Sequence, residues 1–211
     1  CALGRETAIQ KMQWTPDGWL RMADGSNLAK IEVEEPNLPD VPMPEIPSLD
    51  DFDGGELGNW YYSPRQMPST FANATERPGW LRIRGEESLA SLNRTSLLTR
   101  KLTSVYATVT TKMEFEPEVY QHSAGLTIYY DNMNNIFLRK YYSQTLGGGA
   151  ISIVRLENGE KTEMLDTRVA VEDKSIYFRL NIEGRRTWFE WSYDGEAWAQ
   201  IGPDFDTTTF S

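Results

Sequence analysis

Apolar and polar residues alternate with a period of two over most of the second half of this chain, the pattern of strands that bury one face. Val105, Ala107, Val109, Thr111, Met113 and Phe115 fall on one side of a segment whose other side is Tyr106, Thr108, Thr110, Lys112 and Glu114. Leu81 and Ile83 alternate with Arg82 and Arg84 in the same way. Further strands are predicted at Ser123–Tyr130, Ile136–Tyr142, Ala150–Leu156, Ile176–Ile182, Thr187–Tyr193 and Trp198–Ile201. Turn formers separate them: Asp131-Asn132, Gly147-Gly148-Gly149, Asn158-Gly159, Glu183-Gly184 and Asp194-Gly195. No helical periodicity of useful length interrupts the series. The predicted class is therefore all-β: an antiparallel two-sheet jelly-roll sandwich. The closing "DFDTTTFS" shows no obvious final strand beside the first, so the sandwich is expected to lack one.

The front of the chain reads differently. "TAIQKMQW" alternates like a strand, Thr15-Pro16-Asp17-Gly18 is turn chemistry, and Trp19 to Met22 forms a return strand. A lone two-stranded hairpin is marginal in water, so it needs neighbours. From Glu32 to Asp51 the prolines Pro36, Pro39, Pro42, Pro44 and Pro47 recur among acids. Missing ladder hydrogen bonds and like-charge repulsion hold such a segment extended. The expected organisation is a hairpin at 1–31, an acidic proline-rich linker at 32–51 and a sandwich at 52–211.

Charge sharpens this picture. The net charge of −10 is concentrated in residues 31–56, which hold nine of the 31 acids and no Lys or Arg. The rest carries 22 acids against 21 bases and offers no basic face for a phosphate backbone, so nucleic acid is not an expected partner. No run approaches the roughly 20 apolar residues of a membrane-spanning helix. Cys1 and His122 are each alone, which rules out a disulfide within the chain and any Cys-based zinc cluster. No nucleophile elbow lies near His122, which reads as a surface or structural residue.

Several residues suggest chemistry and have simpler explanations. Glu114 and Glu116 share a strand face, as an acid/base pair would, but Pro117 ends the strand beside them and a solvated strand end suffices. Glu86-Glu87 sits beside Arg82 and Arg84, where ion pairing accounts for it. The Gly147 run lacks the lysine and helix of a phosphate loop and reads as a flexible turn. The triplets Asn73-Ala74-Thr75 and Asn93-Arg94-Thr95 fit a glycosylation pattern common by chance. Tyr129, Tyr130, Tyr141, Tyr142, Trp188, Trp191, Tyr193 and Trp198 form an aromatic set of the kind that stacks on sugar rings. By alternation, however, Trp191 and Tyr193 lie on the Phe189 side and read as core.

"RPGWLRIRGEESLASLNRTSLLTRKL", followed by "ATVTTKMEFEP" and "AGLTIYYDNMNNIFLRKYY", resembles the C-terminal concanavalin A-like sandwich of β-xylosidases in glycoside hydrolase family 43. "LGRETAIQ" before a Trp-ended strand resembles the last blade of that family's five-bladed β-propeller. The resemblance implies a parent enzyme that removes xylose from the ends of xylan-derived chains with inversion, using carboxylates on earlier blades. It therefore implies no catalytic residue in this chain, no cofactor and no metal. Arg5 matches an arginine that reaches the propeller's sugar pocket. A pocket-closing aromatic is expected on a loop after Phe210. The xylo-oligosaccharide partner would bind through the propeller, and the sandwich would support and close the active site. Three alternatives remain open: a stand-alone xylan-binding module, an α-L-arabinofuranosidase parent, and a sandwich that holds a homo-oligomer together. A cytoplasmic location is the expectation for such a protein.

Overall fold

The computed structural model describes Leu3 and residues 7–42 and 45–210. The chain divides into two compact units, Arg5–Ser48 and a larger one of Cys1–Gly4 with Leu49–Ser211.

In the smaller unit, β1 (Met12–Trp14) and β2 (Leu20–Met22) pair antiparallel, with Trp14 opposite Leu20. The predicted turn closes through the Gly18 amide donating to the Thr15 carbonyl at 2.9 Å, with the Thr15 hydroxyl bonded to the Trp19 carbonyl. Gln10 then ties the following chain to the hairpin. Its amide donates to the Lys30 carbonyl at 2.9 Å and accepts from the Lys30 N–H at 3.1 Å. Lys11 pairs with Glu34 at 3.1 Å. Beyond it, the described residues up to Ser48 form no ladder and are almost all exposed, as proline spacing and charge dictate. The ribbon buries little of its own apolar surface: Trp14 is 75% exposed and Trp19 68%.

The larger unit is a sandwich of two four-stranded antiparallel sheets. Its early part is irregular, with a short 3₁₀ turn at Pro68–Thr70 and the two-residue strands β3 (Ala72–Asn73) and β4 (Arg82–Ile83). The alternation at Leu81–Arg84 thus yields only a brief pairing with Ala72–Asn73. Long strands follow: β5 (Tyr106–Glu114), β6 (Ser123–Tyr129), β7 (Asn135–Ser143), β8 (Gly148–Glu157), β9 (Glu160–Ala170), β10 (Ser175–Glu183), β11 (Arg186–Ser192) and β12 (Ala199–Asp206). One sheet runs β12-β11-β10-β5 and the other β6-β7-β8-β9.

Between them lies one core, built by alternation from Ile136, Leu138, Ile151, Ile153, Ile176, Phe178, Leu180, Ile182, Phe189, Ile201 and Phe205. Phe178 and Phe189 are fully buried, and Phe189 meets Phe205 edge-on at 6.2 Å. Lys140 also points inward. Its ammonium donates to the Asp173 and Lys174 carbonyls, so the buried charge is solvated by backbone, while burial pushes its pKa down.

Three local readings change. The Gly147 run is no loose loop: Gly148 and Gly149 belong to β8, and a Cβ on Gly149 would sit 2.7 Å from the Val171 carbonyl oxygen. β9 (Glu160–Ala170) is a strand that the alternation does not predict. The final strand, expected to stop at Ile201, continues to Asp206 and pairs Phe205 with Thr187.

Candidate functional site

Arg5, the one substrate-binding residue the sequence suggests, lies outside the described residues. Phe210 is 4% exposed and joins the sandwich core, so its ring is spent on packing rather than on a sugar. His122 accepts the Glu118 N–H at its Nδ1 at 3.4 Å and works as a turn latch.

Glu86, Glu114 and Glu116 are partnered as salt-bridge acceptors. Arg77 grips Glu114 with two bonds of 2.7 and 3.3 Å and holds its pKa below the usual carboxylate value. Glu116 takes Lys174 at 2.9 Å. A general acid needs its pKa raised toward neutrality, and Glu114 is moved the other way. Glu86, nearly buried, accepts from the Gln66 amide at 3.0 Å and from Arg94 and Arg84 at 2.6 and 3.2 Å. Gln66 and then Arg94 keep it ionised. Its flank is an open cavity of about 270 Å³ lined by Arg84, Gly85, Glu86, Glu87 and Arg94. Among the described residues, no group of three or more His, Cys, Asp or Glu is placed to hold a metal ion.

These depressed values give a pH dependence. A carboxylate whose folded pKa lies below its unfolded one, about 4.3 for Glu, contributes stability that is complete above the unfolded value and is lost as pH falls through the folded one. Glu86, Glu114 and Glu163 all shift downward, Glu163 through Lys161 and Arg139. The urea midpoint should stay level above about pH 5 and fall below about pH 4. Glu86→Gln should reduce that acid-side slope. A midpoint that climbs on acidification would contradict these pairings.

The aromatic set splits between the sheets. Tyr129, Tyr141 and Tyr142 belong to β6 and β7, where Tyr141 lies under the Arg139 guanidinium at 4.3 Å. Trp191 packs against the core as alternation predicts, but Tyr193 sits past the end of β11 and is 44% exposed, meeting Trp191 edge-on at 5.1 Å. Trp188 faces outward on β11 and Trp198, expected to open the last strand, lies just before β12, each with an arginine stacked on it, Arg186 at 4.2 Å and Arg179 at 3.6 Å. That outer face also holds residues the sequence did not single out for sugar contact: Tyr106, 69% exposed, and Tyr177, edge-on to Trp198 at 6.5 Å. Between the aromatics runs a polar row, in which the Thr108 hydroxyl donates to Asn181 Oδ1 at 3.1 Å and Asn181 Nδ2 donates to Glu190 at 2.8 Å. This surface therefore sets hydroxyl- and amide-bearing side chains among aromatic rings.

Residues 49–211 match the family described as the β-xylosidase C-terminal concanavalin A-like domain. The chain belongs to that family. A xylan 1,3-β-xylosidase of a Vibrio species is 35% identical over 99% of this chain and 38% of its own length. A β-xylosidase of Bacillus subtilis is 31% identical over 95% of this chain and 38% of its own. The crystal structure of a xylan β-1,4-xylosidase from Bacillus halodurans C-125 superposes with a TM-score of 0.87 and 38% identity, covering all of this chain and 41% of that one. The chain thus spans about two fifths of the relatives it matches. The concanavalin A-like assignment fits the two stacked antiparallel sheets, and the match to the Bacillus halodurans structure takes in the hairpin unit as well.

Proposed function

We propose that this chain is the C-terminal part of an exo-acting, inverting β-xylosidase: the last hairpin of its propeller, an acidic strap and the accessory sandwich. The observation that carries this reading is the superposition on the Bacillus halodurans enzyme, which takes in all of this chain and 41% of that one with a TM-score of 0.87. The exposed Trp14 of a ribbon of two three-residue strands, with Ile9 and Trp19 exposed beside it, supports the reading, because an isolated two-stranded ribbon is marginal in water and gains from neighbouring strands. Hydrolysis then belongs to carboxylates outside this chain. In an inverting enzyme, an acid protonates the leaving oxygen while a carboxylate roughly 6.5–9.5 Å away activates water on the opposite face. Arg5 is assigned to the sugar pocket, where its guanidinium fork would hold hydroxyls or keep a carboxylate ionised. The sandwich contributes support and closure.

The test is the longer protein that carries this chain at its C-terminal end, assayed with aryl β-D-xylosides and aryl α-L-arabinofuranosides. Faster release from the xyloside is expected. Release from the arabinofuranoside alone, or from neither, would overturn the reading.

A further inference from the structure

We propose that the outer face of the β12-β11-β10-β5 sheet binds a neutral β-linked sugar chain, with Trp188 and Tyr106 as stacking platforms and Thr108, Asn181 and Glu190 as hydroxyl partners. The placement follows from register. Trp188 lies opposite Asn181, and Asn181 opposite Thr108, so the three form one row across β11, β10 and β5. Tyr106 stands two residues along from Thr108 on the same face. With strands about 4.8 Å apart and a rise of about 3.3 Å per residue, the backbones of Trp188 and Tyr106 are about 12 Å apart, a span suited to several linked rings rather than one.

The side chains are prepared for such a ligand. Arg186 covers one face of the Trp188 ring at 4.2 Å and is itself held by Asp204 at 2.6 Å, so the indole is braced before any ligand arrives. Trp188 is partly exposed, and its uncovered ring surface is the part that would take a sugar. Tyr106 is 69% exposed at the start of β5, a strand from which Met113 packs against the core, and burial gives no reason for an aromatic there. Asn181, only 8% exposed, is held by Thr108 and Glu190, which leaves hydrogen-bonding capacity on a fixed amide and a fixed carboxylate.

Charge selects the ligand class. Arg179 is paired with Glu190, and Arg186 with Asp204. Among the described residues, the row itself offers no unpaired cation to a phosphate or a carboxylated chain, and Lys112, four residues along β5 from Thr108, lies over the Tyr177 and Trp80 rings; hydroxyls and the apolar face of a pyranose are matched. The choice of a xylan-type chain rests on the β-xylosidase reading above. The site itself rests on the sheet face.

The test is calorimetric titration of the 211-residue chain with β-1,4-xylohexaose, with cellohexaose in parallel. Saturable binding of xylohexaose is expected. Trp188→Ala should weaken it at least about tenfold, as loss of one aromatic platform does. Tyr106→Ala should weaken it less, Trp188→Phe should restore part of it, and Tyr130→Ala, on the other sheet's side, should leave it unchanged. Far-UV spectra and melting of each variant separate loss of a platform from loss of the fold. No saturable binding, binding of cellohexaose alone, or equal affinity in wild type and Trp188→Ala would overturn the proposal. If xylohexaose fails to bind while the longer protein still cleaves xylosides, only the site falls. If it binds while the longer protein cleaves nothing, only the β-xylosidase reading falls.

Discussion

Phe178→Ala should lower the unfolding free energy by about 3–5 kcal/mol. Phe178 is fully buried at the middle of β10, the strand flanked on both sides within its sheet, and its ring faces the other sheet. The loss combines two effects: apolar surface is no longer removed from water, and a close-packed interior leaves a cavity that neighbours such as Phe189 and Ile136 fill only in part. Urea unfolding followed by tryptophan emission would measure it. A loss under about 1 kcal/mol, the size expected of an ordinary substitution, would mean that the two sheets do not close over this ring.

Gly125→Ala should rank beside it, although it adds one methyl group and removes nothing. Gly125 lies in β6 opposite Arg139 of β7. A Cβ there would sit 1.9 Å from the Leu138 carbonyl oxygen and 2.9 Å from the Arg139 Cα. Both obstacles are backbone of the paired strand, so no side chain can swing aside. The edge strand must shift or detach, taking Leu126 and Ile128 from the core. The expected cost is about 3 kcal/mol, at the upper end of overpacking. Amide exchange should show β6 losing protection before the rest. Unchanged protection in β6 would show that the two strands are not so closely apposed.

The elements that the sequence makes legible are those where alternation and turn chemistry agree. β7, β10 and β11 fall within two residues of their expected bounds because each buries every second residue and ends at a turn. β9 escapes for a physical reason. It is an edge strand, so charged residues are tolerated along it, and Glu160, Lys161, Glu163 and Asp166 are all exposed. Its inward residues Met164 and Val169 are five apart, because the register shifts between their partners Ile153 and Ile151. That interval matches no simple period. β12 repeats the problem on a smaller scale: Gly202-Pro203 reads as an end, yet the strand bulges there and returns Phe205 to the core.

The candidate sugar face was half legible. Trp188 stood out by residue type. Its relation to Tyr106 and to the Thr108–Asn181–Glu190 row comes from pairing strands seventy residues apart in sequence, which alternation within one strand does not encode. The carboxylate pairs were legible in type but not in partner. Glu114 is neutralised by Arg77, which lies in the irregular stretch before β4.

On the reading proposed above, this chain supports a glycosidase without itself performing the hydrolysis. The purified 211-residue chain, incubated with an aryl β-D-xyloside, measures that directly. Release of the aryl alcohol no faster than in buffer is predicted. Turnover that disappears on substituting a carboxylate within the chain, such as Glu114→Gln or Glu86→Gln, would contradict it.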